Sequence, residues 1–244
     1  MKKINIAIRG GGVKVPAVGV LKVLEEENII INCYSGTNIG AIIATLAAVN
    51  ASANEIEKLL KEFVVIYSNE SRLKCGKGSK VIESTVNGYC NNMRFKDLEK
   101  ELVIAANKGG FLHPKIFAFS KETTPNVTLG EACRASCSFP IVYEHYHMRI
   151  NGKKHKFWDG GMIANPILPK EGFNIVCSFK KYKTNWNSRY INAWKKPEEQ
   201  ADFLIKPYVG NIGMFGTPQD IEETSQLGYV EAKKQMKQLL HFIR

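Results

Sequence analysis

The chain has 244 residues, 44% of them hydrophobic and 23% charged, which is typical of a globular protein with a substantial buried core. No apolar run approaches the roughly 20 residues of a membrane span, and Met1-Lys2-Lys3 leads directly into a strand pattern, so we expect a soluble, cytoplasmic protein without a signal peptide. With 34 basic and 23 acidic residues the net charge is +11, which favours anionic partners, either nucleic acid or an anionic lipid surface.

Strand and helix patterns alternate along the chain. The predicted strands are Lys3–Ile8, Ile29–Tyr34, Lys115–Ser120, Val142–Ile150, His155–Trp158, Asn174–Phe179 and Asp202–Ile205, with a hairpin turn at Asn151-Gly152. The predicted helices are Ala17–Glu27, Ile39–Val49, Ala53–Val65, Phe95–Asn107, Leu129–Ser138 and a long C-terminal helix that begins at Thr217-Pro218. The alternation predicts an α/β fold, a mainly parallel central sheet between two layers of helices, and one domain over residues 1–244.

Neither the six cysteines nor the five histidines have the spacing of a metal site. The cysteines form no C-x-x-C pair, and several lie in apolar segments, where a thiol behaves as a small hydrophobic group. We therefore expect reduced cysteines, no bound metal and no cofactor.

A glycine-rich motif, Arg9-Gly10-Gly11-Gly12-Val13-Lys14, follows the first predicted strand. Consecutive glycines allow backbone N–H groups to converge on an anion in front of a helix. A dinucleotide-binding G-x-G-x-x-G motif would need glycine at position 15, where the chain has valine, and an acid after the second strand, where it has Tyr34 and Ser35. The motif fits either an anion-binding loop or a structural tight turn.

Two further motifs lie at turns. Gly36 and Gly40 flank Asn38 between a predicted strand and a predicted helix, which is how lipases and esterases expose a nucleophilic serine. The third motif, Trp158-Asp159-Gly160-Gly161, follows a predicted hairpin strand, although an aspartate before two glycines also occurs in simple turns.

Together and in this order, the three motifs resemble those of the patatin-like phospholipase family. That family has a glycine-rich oxyanion loop with a basic residue, a G-x-S-x-G elbow about 25 residues later and a late D-G-[GA] motif. The similarity extends to GVLKVLEE, SGTNIGAIIATLAA, LGEACRASCSFPIVYE and GGMIANP, and it covers roughly the first 180 residues. The resemblance implies an α/β/α sandwich that cleaves fatty-acyl esters of phospholipids or related lipids through an acyl-enzyme, without a metal.

The resemblance also assigns roles to individual residues. The backbone N–H groups of Gly10–Val13 correspond to the oxyanion hole, which stabilises charge on the carbonyl oxygen in the transition state. Lys14 corresponds to the basic residue that orients this loop or the anion. Asp159 corresponds to the second member of a Ser–Asp dyad, which accepts the proton of the nucleophile without a histidine, and position 38 corresponds to the serine.

Asparagine at position 38 departs from this pattern. A carboxamide has no basic nitrogen lone pair and no hydroxyl proton to lose, so it cannot attack an ester. Either the chain is an inactivated form of a working hydrolase, or it is a natural pseudoenzyme that binds lipid or regulates a partner without turnover. The retention of Asp159 and of the triple glycine favours the first interpretation.

The segment Lys180–Lys196 contains six basic residues, no acidic residue and four interleaved aromatic residues. Such a mixture suits the surface of an anionic membrane, and we predict membrane contact through Lys181, Trp186, Arg189 and Trp194. A packed loop is the alternative, because amphipathic side chains also cover core edges. The expected partners are an acyl-ester lipid and, transiently, an anionic membrane surface. Nucleic acid is a weaker candidate because it rests on charge alone, and the oligomeric state is left open.

Overall fold

The computed structural model describes residues 2–73, 78–109, 113, 115–139, 144–161, 166–180, 196–210, 212 and 216–243. Its strands are β1 (Ile4–Ile8), β2 (Cys33–Gly36), β3 (Glu101–Asn107), β4 (Ile116–Phe119), β5 (Tyr146–Ile150), β6 (Lys153–Phe157), β7 (Phe173–Cys177) and β8 (Phe203–Ile205). Its helices are α1 (Pro16–Glu26), α2 (Ile39–Ala48), α3 (Ala53–Leu73), α4 (Gly78–Tyr89), α5 (Leu129–Ser136) and α6 (Pro218–Ile243).

A six-stranded sheet forms the centre of the fold, with strand order β4-β3-β2-β1-β7-β8. Its neighbouring strands are parallel except for β3 and β4, which pair antiparallel. Every residue of β1 is buried, as expected for a strand covered on both faces by helices. The predicted α/β class with a mainly parallel central sheet is therefore confirmed. A separate antiparallel hairpin pairs β5 with β6 around Asn151-Gly152.

Two groups of helices flank the sheet. In the first, α6 packs along α1 and α3, and in the second, α4 packs on α5. Helix α2 is buried at all ten positions, since its sequence IGAIIATLAA is apolar on every face. Small residues allow α6 to approach α1 closely: a Cβ at Gly228 would lie 1.9 Å from the Pro16 carbonyl oxygen. None of the helices within the described ranges is long and apolar enough to cross a membrane.

The structure departs from the predicted elements in several places. The prediction of a helix over Phe95–Asn107 is wrong. The segment forms a short 3₁₀ turn, Phe95–Asp97, followed by strand β3. The second strand begins at Cys33, four residues later than predicted, and Ile30 is 74% exposed. Helix α4 was not predicted. Most other bounds differ from the predicted ones by one or two residues, whereas α3 extends eight residues further, to Leu73, and β5 begins four residues later, at Tyr146.

Candidate functional site

The three sequence motifs meet at one edge of the central sheet. The glycine loop follows β1 and the Asn38 turn follows β2, and these strands are parallel neighbours whose carboxyl ends lie together. The strand order also reverses at β1, since β2 lies on one side and β7 on the other, and ligands of α/β proteins bind at such a point. Asp159 reaches the same edge because Trp158 and Asn107, at the end of β3, exchange two backbone hydrogen bonds of 2.8 and 3.0 Å.

Asn38 occupies a sharp turn between β2 and α2. Its backbone has φ 54° and ψ −129°, outside the regions that most residues adopt, although asparagine tolerates positive φ better than most. Gly40 permits the turn, because a Cβ there would lie 2.4 Å from the carbonyl oxygen of Ile8. The Asn38 N–H donates to Ser136 Oγ at 2.9 Å, and this hydroxyl donates to the Ala105 carbonyl at 2.6 Å. The turn is thus tied to both β1 and α5.

The side chain of Asn38 points at Asp159. Its Nδ2 donates a hydrogen bond of 2.5 Å to Asp159 Oδ2, and Asp159 is 2% exposed. Hydrogen bonds to a carboxylate are stronger than those between neutral groups, more so away from water. A Cβ at Gly161 would lie 3.1 Å from both Asn38 Cβ and Asp159 Oδ1, so this glycine leaves the space in which the two side chains meet.

The glycine loop lies directly against this turn. A Cβ at Gly10 would lie 2.5 Å from both Asn38 Cβ and the carbonyl oxygen of Thr37. Gly12 has φ 67°, the left-handed conformation that glycine adopts without strain. Lys14 is buried, and its Nζ donates to the Gly11 carbonyl at 3.2 Å. The lysine therefore closes the loop on itself.

A buried cation supports the start of the loop. Arg9 donates to Ser178 Oγ at 3.1 Å and to the Phe179 carbonyl at 3.2 Å, and its guanidinium lies 4.5 Å from the centre of the Phe179 ring. Burial lowers the pKa of Arg9 to about 10, although Glu198, 3.7 Å away, acts to raise it. The ring of Phe179 covers Gly11 so closely that a Cβ there would lie 2.3 Å from its Cζ atom.

The C-terminal helix holds the other end of the loop. Thr224 of α6 is fully buried, and its hydroxyl accepts from the Val15 N–H at 3.2 Å and lies 3.3 Å from the Val13 carbonyl oxygen. A Cβ at Gly216 would lie 2.7 Å from a methyl group of Val13. The loop is therefore fixed by elements separated from it by about two hundred residues of chain.

Other side chains near Asn38 are poor nucleophiles. The hydroxyls of Ser35 and Thr37 are buried, and no base among the described residues accepts a hydrogen bond from them. Burial, with a further contribution from Asp159, raises the pKa of the Cys137 thiol well above its ordinary value, which keeps it protonated and unreactive. Ser136 is already engaged with two backbone groups.

The structure brings together the predicted residues of all three motifs. The predicted membrane contacts Lys181, Trp186, Arg189 and Trp194 lie outside the described residues. Sequence reasoning missed the supporting roles of Ser136, Phe179 and Thr224. Only Ser136 could have been found from the sequence. It belongs to the segment LGEACRASCSFPIVYE, which resembles segments of patatin-like phospholipases.

Comparison with known proteins connects this geometry to a family. Residues 6–169 match the model of the patatin-like phospholipase family. A curated relative, the uncharacterised protein R571 of Acanthamoeba polyphaga mimivirus, is 28% identical over 157 residues, or 57% of this chain.

Two solved structures share the fold. VipD of Legionella pneumophila superposes with a TM-score of 0.62 at 13% identity, over 97% of this chain and 67% of that chain. ExoU of Pseudomonas aeruginosa, in its complex with SpcU, superposes with a TM-score of 0.53 at 16% identity, over 97% and 52%. The chain spans about half the length of these two relatives: it covers 52% of the mimiviral protein and 52% of ExoU.

Proposed function

Because this chain belongs to the patatin-like phospholipase family, we propose that it is a lipid acyl hydrolase of the Ser–Asp dyad type whose nucleophile position holds asparagine. The observation that carries the proposal is the 2.5 Å contact between Asn38 and Asp159 at a strained turn beside the glycine loop. As it stands, the chain is catalytically silent. Residues 1–244 act here as one domain, since α6 anchors the glycine loop.

A serine side chain at position 38 completes a mechanism. Asp159 accepts the hydroxyl proton while Oγ attacks the acyl carbonyl carbon, and the N–H groups of Gly10–Val13 stabilise the oxyanion that forms. The proton then passes to the departing alcohol oxygen as the ester bond breaks, leaving an acyl-serine. Water attacks this ester, Asp159 takes its proton, and fatty acid is released as the proton returns to Oγ.

Asparagine blocks the first step. Its amide nitrogen is delocalised and donates to Asp159, so the carboxylate that would act as base is instead a hydrogen-bond acceptor for the residue in the nucleophile position. Loss of a nucleophile leaves only the residual acceleration from the oxyanion hole and binding, on the order of 10³–10⁴-fold over water.

The same contact favours a second candidate function, a pseudoenzyme that binds lipid without turnover. Asp159 is buried, and a carboxylate without a partner there would be costly. Asn38 supplies a donor, so the carboxylate has a partner without a serine. In this alternative the glycine loop binds the ester or phosphate oxygens of a lipid and holds them.

The family supports a lipid as the partner, and the charge of the chain supports a membrane surface. The substrate or ligand is a phospholipid or another acyl-ester lipid, met at an anionic membrane surface from the cytoplasmic side, with the protein bound peripherally and transiently. The net charge of +11 supports this surface as a partner, and the segment 181–195 supplies basic and aromatic residues for it. No metal or cofactor enters the proposed reaction.

The decisive experiment compares the chain with Asn38→Ser on phosphatidylcholine vesicles and on a short-chain chromogenic ester, with released fatty acid measured by mass spectrometry. Asn38→Ser should release fatty acid. Asn38→Ala, which removes the carboxamide without adding a hydroxyl, and the double variant Asn38→Ser/Asp159→Ala should not. Absence of product from Asn38→Ser on both substrates would refute the hydrolase, and lipid binding in that case would support the pseudoenzyme.

A further inference from the structure

The β5–β6 hairpin has one strongly basic face. Residues directly opposite in an antiparallel pair point to the same side, and the register pairs His147 with Lys156 and Arg149 with Lys154. All four side chains are exposed. The hairpin residues 145–158 include no acidic residue.

This arrangement costs stability. Like charges directly opposite each other on a sheet repel, and Arg149 and Lys154 form such a pair. Among the residues that the structure describes, Arg149, Lys154 and Lys156 form no salt bridge; Arg149 only donates to the Gly152 carbonyl within the turn. An anionic partner would relieve the repulsion.

Aromatic rings continue the same face toward the candidate site. The rings of His145 and Trp158 lie 5.4 Å apart, and Lys156 Nζ lies 4.8 Å from the Trp158 ring centre. Desolvation lowers the pKa of His145, with further lowering by Lys156 and His147, whereas Glu144 acts to raise it. Asp159 follows Trp158 in the chain and contacts Asn38, so the end of the hairpin lies next to the candidate site.

The opposite face of the hairpin is packed and fixes its orientation. Phe157 is fully buried, and its ring centre lies 5.2 and 5.1 Å from those of Phe117 and Phe119 on β4. Met148 and Ile150 are also buried on this side. Because the opposite face packs against the core, the basic face has a fixed orientation toward solvent.

We propose that the outer face of the β5–β6 hairpin, formed by His147, Arg149, Lys154 and Lys156, docks on anionic lipid headgroups and brings the Asp159 edge of the sheet to the membrane. This face is separate in the chain from the basic and aromatic segment 181–195. Lipid is favoured over nucleic acid because the face leads to the site assigned to a lipid. Aromatic rings at the junction with that site also suit the headgroup region.

The test uses the chain with Asn38 in place, so that binding is measured without turnover and independently of the proposed hydrolysis. Arg149→Gln/Lys154→Gln/Lys156→Gln is compared with Lys96→Gln/Lys234→Gln/Lys237→Gln, a control that removes the same charge from exposed positions elsewhere. Binding is measured by co-flotation with vesicles of phosphatidylcholine and phosphatidylserine at about four to one, with pure phosphatidylcholine vesicles and a single-stranded oligouridylate alongside. Thermal melts establish that both variants fold.

The hairpin variant should bind the anionic vesicles at least about tenfold more weakly than the parent chain, while the control changes by about twofold or less. Equal losses in both variants would overturn the proposal, since net charge alone would then explain binding. Unchanged vesicle binding by the hairpin variant would also overturn it. Loss of oligouridylate binding with vesicle binding intact would assign the face to nucleic acid instead.

Discussion

Asn38 and Asp159 lie 121 positions apart in the chain, yet Nδ2 of the first is 2.5 Å from Oδ2 of the second. Different elements deliver the two groups: β2 and its turn carry the amide, whereas the β6 strand and the bridge to Asn107 carry the carboxylate. In the proposed function these two positions are those of the nucleophile and the base. The contact leads to predictions about stability as well as about chemistry.

The first prediction is that Asn38→Ser changes stability little. The turn is set by the close approach of Gly40 to Ile8 and by the burial of α2, and a serine hydroxyl can replace the amide as a donor to Asp159. A difference of about 1 kcal/mol corresponds to roughly 2–4 °C in a chain of this size. Differential scanning calorimetry should therefore place the two melting temperatures within a few degrees. A fall of more than about 10 °C would mean that asparagine itself holds the turn.

The second prediction concerns the contact between the glycine loop and the Asn38 turn. Gly10→Ala places a methyl group 2.5 Å from Asn38 Cβ and the Thr37 carbonyl oxygen, so the backbone must move. We expect a loss of about 1–3 kcal/mol in the free energy of unfolding. In the Asn38→Ser background we expect loss of esterase activity as well.

Gly88→Ala is the matched control for this change. Gly88 lies in α4, where an added Cβ would meet no atom within 4 Å. Because alanine is the better helix former, this variant should be as stable as the parent chain or more stable by up to about 1 kcal/mol. Denaturant titration checks both variants, and similar destabilisation by both would show that the loop is not packed against the turn.

The sequence predicted the order of elements but not every element. Residues 101–107, ELVIAAN, combine helix-forming residues with an apolar run, and a strand buried on both faces lacks the alternation that identifies a half-buried one. Position within the sheet, between β2 and β4, makes this segment a strand. Helix α4 escaped prediction because its valine, isoleucine, serine and threonine residues have low helix propensity, while its packing on α5 stabilises it.

The candidate site likewise has residues that the sequence predicted and residues that it did not. Glycines at turns are visible in the sequence because a positive φ or a close approach requires them, and Asp159 is visible because it precedes two of them. The contacts of Ser136, Phe179 and Thr224 depend on how distant segments meet at the sheet edge, and ordinary buried serine, phenylalanine and threonine residues have no local signature.

The third prediction is a pH dependence that arises away from the site, where α1, α3 and α6 meet. Burial acts to raise the pKa of Glu57, but hydrogen bonds from Lys22, Ser225 and Lys61 outweigh it and lower the pKa overall. A carboxylate with a lowered folded pKa contributes stability that is present above its unfolded pKa of about 4.3 and is lost as pH falls through the folded value. Glu57→Gln should therefore destabilise the chain at neutral pH, and the difference should shrink below about pH 4.

Melting temperatures measured between about pH 7 and pH 3 test this prediction. Glu222→Gln is the control, because Glu222 also pairs with Lys61 but its side chain is 59% exposed, against 13% for Glu57. That variant should change stability by no more than about 1 kcal/mol. A Glu57→Gln difference that stays constant over the whole range would assign the effect to packing and not to charge.

The fourth prediction tests most directly that position 38 is the nucleophile position of a dyad with Asp159. Asn38→Ser is treated with a fluorophosphonate, which reacts with activated serines, and the modified residue is located by peptide mass spectrometry. The label should appear on residue 38 of Asn38→Ser, be absent from the parent chain, and form about 10²–10⁴-fold more slowly when Asp159→Asn is added. Labelling elsewhere, absence of labelling, or an equal rate without the carboxylate would contradict the assignment of Asn38 and Asp159.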